Sequence, residues 1–292
     1  MGKFNNVKLV PMNIVYLNGN FLELKDAKIS VMDRGFLFGD GVYEVIPVYQ
    51  QKLIALQHHL KRLKICLRKI RIHDPLKKNN FTKIYKKLFK ENHIQDCLLY
   101  LQITRGSGDK RSYLFPKKIK PTVFICCIPF TWPTIPHLEK GFTAYTTEDI
   151  RWAYTSIKSL NLLPSVLLSQ EAHEKGMTEA ILIRHREVIE GSISNIFLVK
   201  NNCIITPYEQ SCMLSGITRI LIVHLAKSLS FPIEERRVMI DELYTADEIW
   251  LTGSSKTIVP IVKLDGKRIG TGKAGPIWKQ FVTQLFETMG IL

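Results

Sequence analysis

Apolar and polar positions alternate with a period of two along Ile14-Val-Tyr-Leu-Asn-Gly-Asn-Phe-Leu-Glu-Leu24. Successive side chains of a strand point to opposite faces, so this pattern predicts two strands, and Asn18-Gly19 between them is a hairpin turn signal. Val42 to Ile54 predicts a second hairpin. From Leu56 to Ile70 the spacing changes: Leu56, Leu60, Leu63, Leu67 and Ile70 recur every three or four residues, which predicts a helix with one apolar face. A further helix is predicted over Asn80 to Glu91, with strands over Leu98 to Thr104 and Thr122 to Ile128. Pro129, Pro133 and Pro136 then fall close together and mark the best linker in the chain. Beyond it, strands are predicted from Phe142 and over Asn195 to Lys200, with a hairpin from Ala180 through Glu190. Helices are predicted over Val166 to Lys175, near Thr218 and from Gly275. Strands mixed with few helices, without a regular strand-helix-strand rhythm, predict an α+β fold. The expected division is a smaller N-terminal domain at 1–130, a linker at 131–138 and a larger C-terminal domain at 139–292.

A length of 292 residues fits one large or two modest domains. With 46% hydrophobic and 23% charged residues the composition is that of a globular protein, large enough to hold a core without disulfide or metal staples. Charge is the unusual property: 41 Lys and Arg against 26 Asp and Glu leave +15, which suits an anionic substrate, cofactor or surface. The excess concentrates between Lys52 and Lys90, where Asp74 is the only acid. Aromatics do not interleave with these lysines as base-stacking platforms would, and no nucleic-acid motif is present, so solvated helix faces are expected there. Cys66, Cys97, Cys126, Cys127, Cys203 and Cys212 form no CxxC pair. The short apolar stretch at 7–10 does not suit a signal peptide, and no run approaches the ~18 apolar residues of a membrane span. A reduced, cytoplasmic protein without a membrane partner is expected. His58-His59 have no acidic or cysteine neighbour in sequence, so no metal site is expected. Thr104-Arg-Gly-Ser-Gly lacks the third glycine of a dinucleotide fingerprint.

Three segments carry more than packing information. Asp33-Arg-Gly-Phe-Leu-Phe-Gly-Asp-Gly-Val-Tyr-Glu-Val45 sets three glycines and two aspartates among aromatics; Asp149-Ile-Arg-Trp leads to Ile157-Lys-Ser-Leu-Asn-Leu-Leu163; and Glu190-Gly-Ser-Ile-Ser-Asn195 ends a strand with an acid followed by small polar groups. With Gln170-Glu-Ala-His-Glu-Lys-Gly176 and Gly216-Ile-Thr-Arg219, they resemble, in order and over most of the chain, the two-domain fold-type IV (class IV aminotransferase) pyridoxal-phosphate enzymes. That family holds branched-chain aminotransferases, D-amino acid transaminases and aminodeoxychorismate lyases, and the similarity is greatest to the bacterial D-amino acid transaminases.

The resemblance implies a role for each matched residue. Lys158 matches the lysine that forms the Schiff base with pyridoxal 5'-phosphate and moves the Cα proton, and it would lie in the C-terminal domain. Glu190 matches the acid that bonds the pyridine nitrogen, and Arg62 the arginine on the cofactor phosphate. The amides of Ile217 and Thr218 match the phosphate cradle, a helix start suited to an anion. Thr252, Ser254 and Ser255 lie where the family places a further hydroxyl contact to the phosphate, and Leu214 where it packs an apolar side chain on the ring. Arg111 and Tyr113 align with an Arg-x-His pair that, with a tyrosine matched by Tyr43, captures the substrate α-carboxylate. Tyrosine replaces histidine here but still donates a hydrogen bond. The implied reaction is transfer of an amino group from a D-amino acid such as D-alanine to a 2-keto acid, in a homodimer. The alternative is aminodeoxychorismate lyase, which eliminates pyruvate. Familiar lyases carry a threonine near the position of Val45, and valine cannot supply that hydroxyl.

Overall fold

The computed structural model describes residues 13–76 and 78–292, so the stretch at 7–10 lies outside the described residues. The chain divides into two units: Met1–Trp132 with Ile157–Asn161, and Pro133–Ser156 with Leu162–Leu292. The mixed α and β architecture is the one expected. The segment carrying Lys158 differs from expectation, because it groups with the first unit rather than with the C-terminal part of the chain.

The first unit is a six-stranded antiparallel sheet covered by helices. Its elements are β1 (Ile14–Leu17), β2 (Asn20–Glu23), α1 (Arg34–Phe38), β3 (Gly41–Tyr49), β4 (Lys52–Leu53), α2 (Leu56–Lys69), α3 (Lys78–Glu91), β5 (Cys97–Thr104) and β6 (Thr122–Pro129). The strand order is β2-β1-β6-β5-β3-β4, and both predicted hairpins form, with Leu17 opposite Asn20 and Tyr49 opposite Lys52. Along β3 the even positions Val42, Glu44, Ile46 and Val48 are buried, so a carboxylate shares the core face with aliphatic side chains. On α2 the buried face is His59, Arg62, Leu63, Cys66 and Leu67. Leu56, Leu60 and Ile70, expected on that face, are only partly buried. The helix has turned its buried stripe to bring His59 and Arg62 inward, where Glu44 compensates them.

The second unit is built on a mixed nine-stranded sheet. In chain order it comprises α4 (Ile135–Leu138), β7 (Phe142–Glu148), α5 (Leu163–Glu174), β8 (Glu179–Arg184), β9 (Glu187–Gly191), β10 (Asn195–Lys200), β11 (Cys203–Pro207), α6 (Ile217–Ser228), β12 (Ile233–Arg236), α7 (Ile240–Thr245), β13 (Glu248–Gly253), β14 (Thr257–Leu264), β15 (Lys267–Arg268) and α8 (Pro276–Met289). The order is β12-β11-β10-β13-β14-β7-β8-β9, with β15 pairing β14. β7 and β8 run parallel across α5, and β11 and β12 run parallel across α6. Residue spacing does not show these crossovers, because irregular segments interrupt their strand-helix-strand rhythm. Phe197, Trp250, Trp278, Phe281 and Phe286 fill the main core. Glu248 accepts from the Ile277 and Trp278 amides at 3.0 and 2.8 Å, closing the start of α8. Among the described residues no helix is long and apolar enough to cross a membrane.

Candidate active site

Lys158 is held by the start of β3. The Tyr43 amide donates to the Lys158 carbonyl at 3.1 Å, the Leu160 amide donates to the Gly41 carbonyl at 3.1 Å, and Val42 bridges Ser159. This close approach explains Gly41: a Cβ there would lie 2.6 Å from the Ile103 carbonyl oxygen and 2.8 Å from Leu160 Cδ1. Gly39 ends α1 in the left-handed region at φ 66°, and an added Cβ would strike the Asn161 side chain. The Lys158 amide donates to Cys66 Sγ at 3.4 Å; the residue is half-buried, and its Nζ lies 4.1 Å from the centre of the Tyr43 ring. Backbone pairing and a thiol thus fix the main chain at Lys158, and an aromatic face lies against its amine.

In the same unit, Glu44 accepts from Arg62 Nε at 2.7 Å, Arg62 Nη2 at 2.8 Å and His59 Nδ1 at 2.8 Å. Burial alone would raise the Glu44 carboxyl, but the Arg62 charge and the hydrogen bonds from Arg62 and His59 outweigh it and hold the carboxyl at about 2. Burial, with the charges of Arg62 and Lys158, pushes the His59 imidazole below its usual value, so at neutral pH it is the neutral donor to Glu44. The two adjacent histidines therefore do have an acidic companion for one of them, supplied by another strand. Among the described residues no group of three or more potential metal ligands is present.

The sign of the Glu44 shift sets a stability prediction. A carboxyl depressed on folding stabilises above its unfolded value near 4.5, and that stability is lost as pH falls toward about 2. Glu44→Gln leaves Arg62 buried without its countercharge, and breaking such a pair costs about 3–5 kcal/mol. Thermal melts should show the variant far below the parent at pH 7, with the gap closing on acidification from pH 4.5. A constant gap across that range would disprove the ionic origin.

In the second unit a chain of alternating charges ends at Glu190. Arg184 Nη2 donates to Asp149 at 2.9 Å, Arg151 Nε donates to the same carboxylate at 2.8 Å, and Arg151 Nη1 donates to Glu190 at 2.7 Å. Asn195 Nδ2 at 2.9 Å and the Leu214 amide at 3.2 Å also donate to Glu190. Burial nevertheless pushes this carboxyl up to about 7, with Arg151 opposing the rise. Burial opposes the charge on Arg151, but Glu190 and Asp149 hold its guanidinium well above its ordinary value.

α6 begins nearby in the chain at Gly216, which supplies no side-chain cap. A Cβ at Gly216 would collide with Asn195 Oδ1, so the capping position cannot carry a side chain there without displacing Asn195. The first-turn amides of Ile217 and Thr218 are thereby uncapped by any side chain, which is the arrangement that receives an anion. Ser254 and Ser255 occupy the turn between β13 and β14, half-buried and exposed respectively, whereas Thr252 is buried and donates to the Asn195 carbonyl at 3.5 Å. Glu179 ties two turns together: it accepts from Lys256 Nζ at 2.6 Å, Ser194 Oγ at 2.8 Å and the Ile193 amide at 2.8 Å.

Arg111 and Tyr113 lie together on the β5–β6 loop of the first unit. The Arg111 guanidinium is 5.1 Å from the Phe38 ring centre and 5.4 Å from that of Tyr113. Tyr43 instead contacts Lys158 and Tyr100. Sequence reasoning missed Glu44 and His59 as the network around Arg62 in the first unit, and Asp149, Arg151, Arg184 and Asn195 as the network around Glu190 in the second. Glu44 was readable, as an acid on the apolar face of an alternating strand, and so was the three-residue spacing of His59 and Arg62 among leucines. Arg184 carries no local signal, because its partner Asp149 is 35 residues away.

The Amino-transferase class IV family profile matches residues 41–264 of this chain. D-Alanine aminotransferase of Staphylococcus aureus (strain MSSA476) is 37% identical over 270 residues, covering 92% of this chain and 95% of that protein. D-Alanine aminotransferase of Listeria monocytogenes is 35% identical over 286 residues, covering 95% and 98%. Among solved structures, branched-chain amino acid aminotransferase from Escherichia coli superposes with a TM-score of 0.87 at 26% identity, covering 95% of this chain and 94% of that one. The T.th. branched-chain amino acid aminotransferase with pyridoxamine 5'-phosphate gives 0.88 at 25% identity, covering 96% and 95%.

Proposed function

Since the chain belongs to the class IV aminotransferases and is therefore a pyridoxal-phosphate enzyme, we propose that it transfers the amino group of a D-amino acid such as D-alanine to a 2-keto acid. The donor set fits the cofactor chemically. Lys158 offers an amine to the aldehyde, Glu190 a buried acid to the ring nitrogen, and Arg62 and the uncapped amides of Ile217 and Thr218 suit a phosphate. Ser254 and Ser255 offer hydroxyls to the same phosphate, and Leu214 an apolar side chain to the ring. Bound cofactor supplies the electron sink for the charge left on the substrate Cα. Lys158 Nζ would take the proton from the substrate Cα, and Glu190 would stand against the ring nitrogen of the bound cofactor. Arg111, Tyr113 and Tyr43 bind the α-carboxylate, which fixes which face of the Cα meets Lys158.

The class IV aminotransferase family match over residues 41–264 carries the cofactor assignment; the 37% identity to a D-alanine aminotransferase over 92% of the chain supports the substrate. A homodimer belongs to the same proposal. Tyr113 and Leu114 are 77% and 80% exposed, and Phe36 and Val31 are exposed as well, apolar side chains that a second copy would cover.

The test mixes holoenzyme with an amino donor and no keto acid. D-Alanine should yield one equivalent of pyruvate per subunit and then stop, resuming when 2-oxoglutarate is added. L-Leucine reacting faster than D-alanine would move the substrate to the branched-chain class. Repeated release of pyruvate from aminodeoxychorismate, with no response to D-alanine, would assign the lyase reaction instead.

A further inference from the structure

The β5–β6 loop that carries Arg111 and Tyr113 forms no regular secondary structure over 108–121, and its tip is exposed at Tyr113, Leu114 and Phe115. What holds it comes from α1. Asp40 receives Arg34 Nε at 2.8 Å on one oxygen, and Arg105 Nε and Nη2 at 2.7 and 2.9 Å. Arg105 is committed on its far side to the carbonyls of Ile70 and Arg71, at the end of α2. Arg34 is turned the other way. Its Nη1 donates to the Ser112 carbonyl at 2.5 Å and the Leu114 carbonyl at 3.4 Å, and its Nη2 to the Tyr113 carbonyl at 3.5 Å. One buried guanidinium thus spans three successive carbonyls, a geometry that a planar fork of donors allows and a lysine does not. The Phe38 ring lies 4.7 Å from Arg34, 5.1 Å from Arg111 and 5.4 Å from the Tyr113 ring, so the tether and both recognition side chains share one aromatic surface. The loop base is fixed as well, since the Arg34 amide donates to the Gly106 carbonyl at 2.9 Å and Asp33 bridges Ser107.

We infer that Arg34 is a positioning residue for substrate recognition: oriented by Asp40, it holds the 112–114 backbone so that Arg111 and Tyr113 meet the substrate α-carboxylate in a preset geometry. The inference rests on the proposed reading of Arg111 and Tyr113 as the carboxylate-binding pair. Loss of the tether costs orientation of the carboxylate, and the amine at Lys158 is untouched. Binding of α-carboxylate substrates therefore suffers more than the chemical step.

The experiment measures steady-state kinetics of holoenzyme carrying Arg34→Gln, Arg34→Lys, Arg111→Ala and the Arg34→Gln/Arg111→Ala pair. Arg34→Gln should raise KM for D-alanine and for 2-oxoglutarate about tenfold with kcat within about threefold, and with cofactor retention and Tm close to the parent. Arg34→Lys should recover only part of the KM, because it keeps the Asp40 pair and loses the span of carbonyls. Added to Arg111→Ala, Arg34→Gln should change KM by less than about twofold, since both act through one contact. A normal KM in Arg34→Gln beside a raised KM in Arg111→Ala overturns the inference and leaves the reading of Arg111 intact. A normal KM in Arg111→Ala overturns that reading and the inference with it. A fall in Tm and cofactor retention without the split between KM and kcat assigns Arg34 a purely structural role and also overturns the inference. Should Arg34→Gln fail to fold, Phe38→Leu removes the shared ring. The same KM split in that variant supports the inference, and unchanged kinetics refute it.

Discussion

Replacing Lys158 with alanine is expected to lower transamination by at least about 10³-fold while the protein keeps its fold. The effect is large because the same nitrogen performs two tasks in the proposed reaction: it attaches the cofactor covalently, and it takes the proton from the substrate Cα. The fold should persist because what the rest of the structure takes from this residue is main-chain pairing, at Tyr43 and Cys66, and alanine retains both groups. Loss of the Nζ contact with the Tyr43 ring removes a cation–π term of roughly 0.5–1 kcal/mol, small against the stability of a domain. Far-ultraviolet circular dichroism and Tm would check the fold, and peptide mapping after borohydride reduction of the parent holoenzyme would locate the attached lysine. A label on any other lysine, or substantial turnover in Lys158→Ala, would remove Lys158 from this role.

The second large effect is expected at Glu190, where Glu190→Gln should reduce turnover by about 10²-fold or more while the cofactor remains bound. An amide cannot balance the positive charge of a protonated ring nitrogen. The stability consequence runs opposite to that at Glu44. A carboxyl raised on folding, here to about 7, contributes stability fully below its unfolded value near 4.5 and loses it as pH rises through 7. Glutamine resembles the protonated form and escapes that loss. Cofactor-free Glu190→Gln should therefore melt no lower than the parent at pH 8, whereas Glu44→Gln melts far lower. A cofactor-free Glu190→Gln that melts well below the parent at pH 8 would mean that Arg151 outweighs burial in setting the charge of Glu190. Unchanged turnover would separate Glu190 from the chemistry.

The elements that the sequence displays best are those whose burial follows a local period. β1 and β2 with Asn18-Gly19, β3 with β4, and α2, α3 and α8 were all legible, because side-chain direction repeats every two residues in a strand and every 3.6 in a helix. Two chemically distinctive residues were legible too: Lys158 and Glu190 stand in motifs whose composition does not suit packing alone, whereas Arg62 was picked out only by the family resemblance. What the alternation could not report was partnership. Arg62 reads as a helix-surface cation until Glu44, 18 residues away, meets it inside the core. Arg151 reaches Glu190 over 39 residues and Lys158 reaches Cys66 over 92. The parallel pairs β7–β8 and β11–β12 likewise depend on crossovers rather than on any pattern within a strand. Local geometry determines which face of an element turns inward, and that much is written in residue spacing. Which charge waits on the opposite face depends on how the chain closes its loops, and burial then makes that choice decisive, because an ionised group out of water is tolerated only where its counterpart arrives with it.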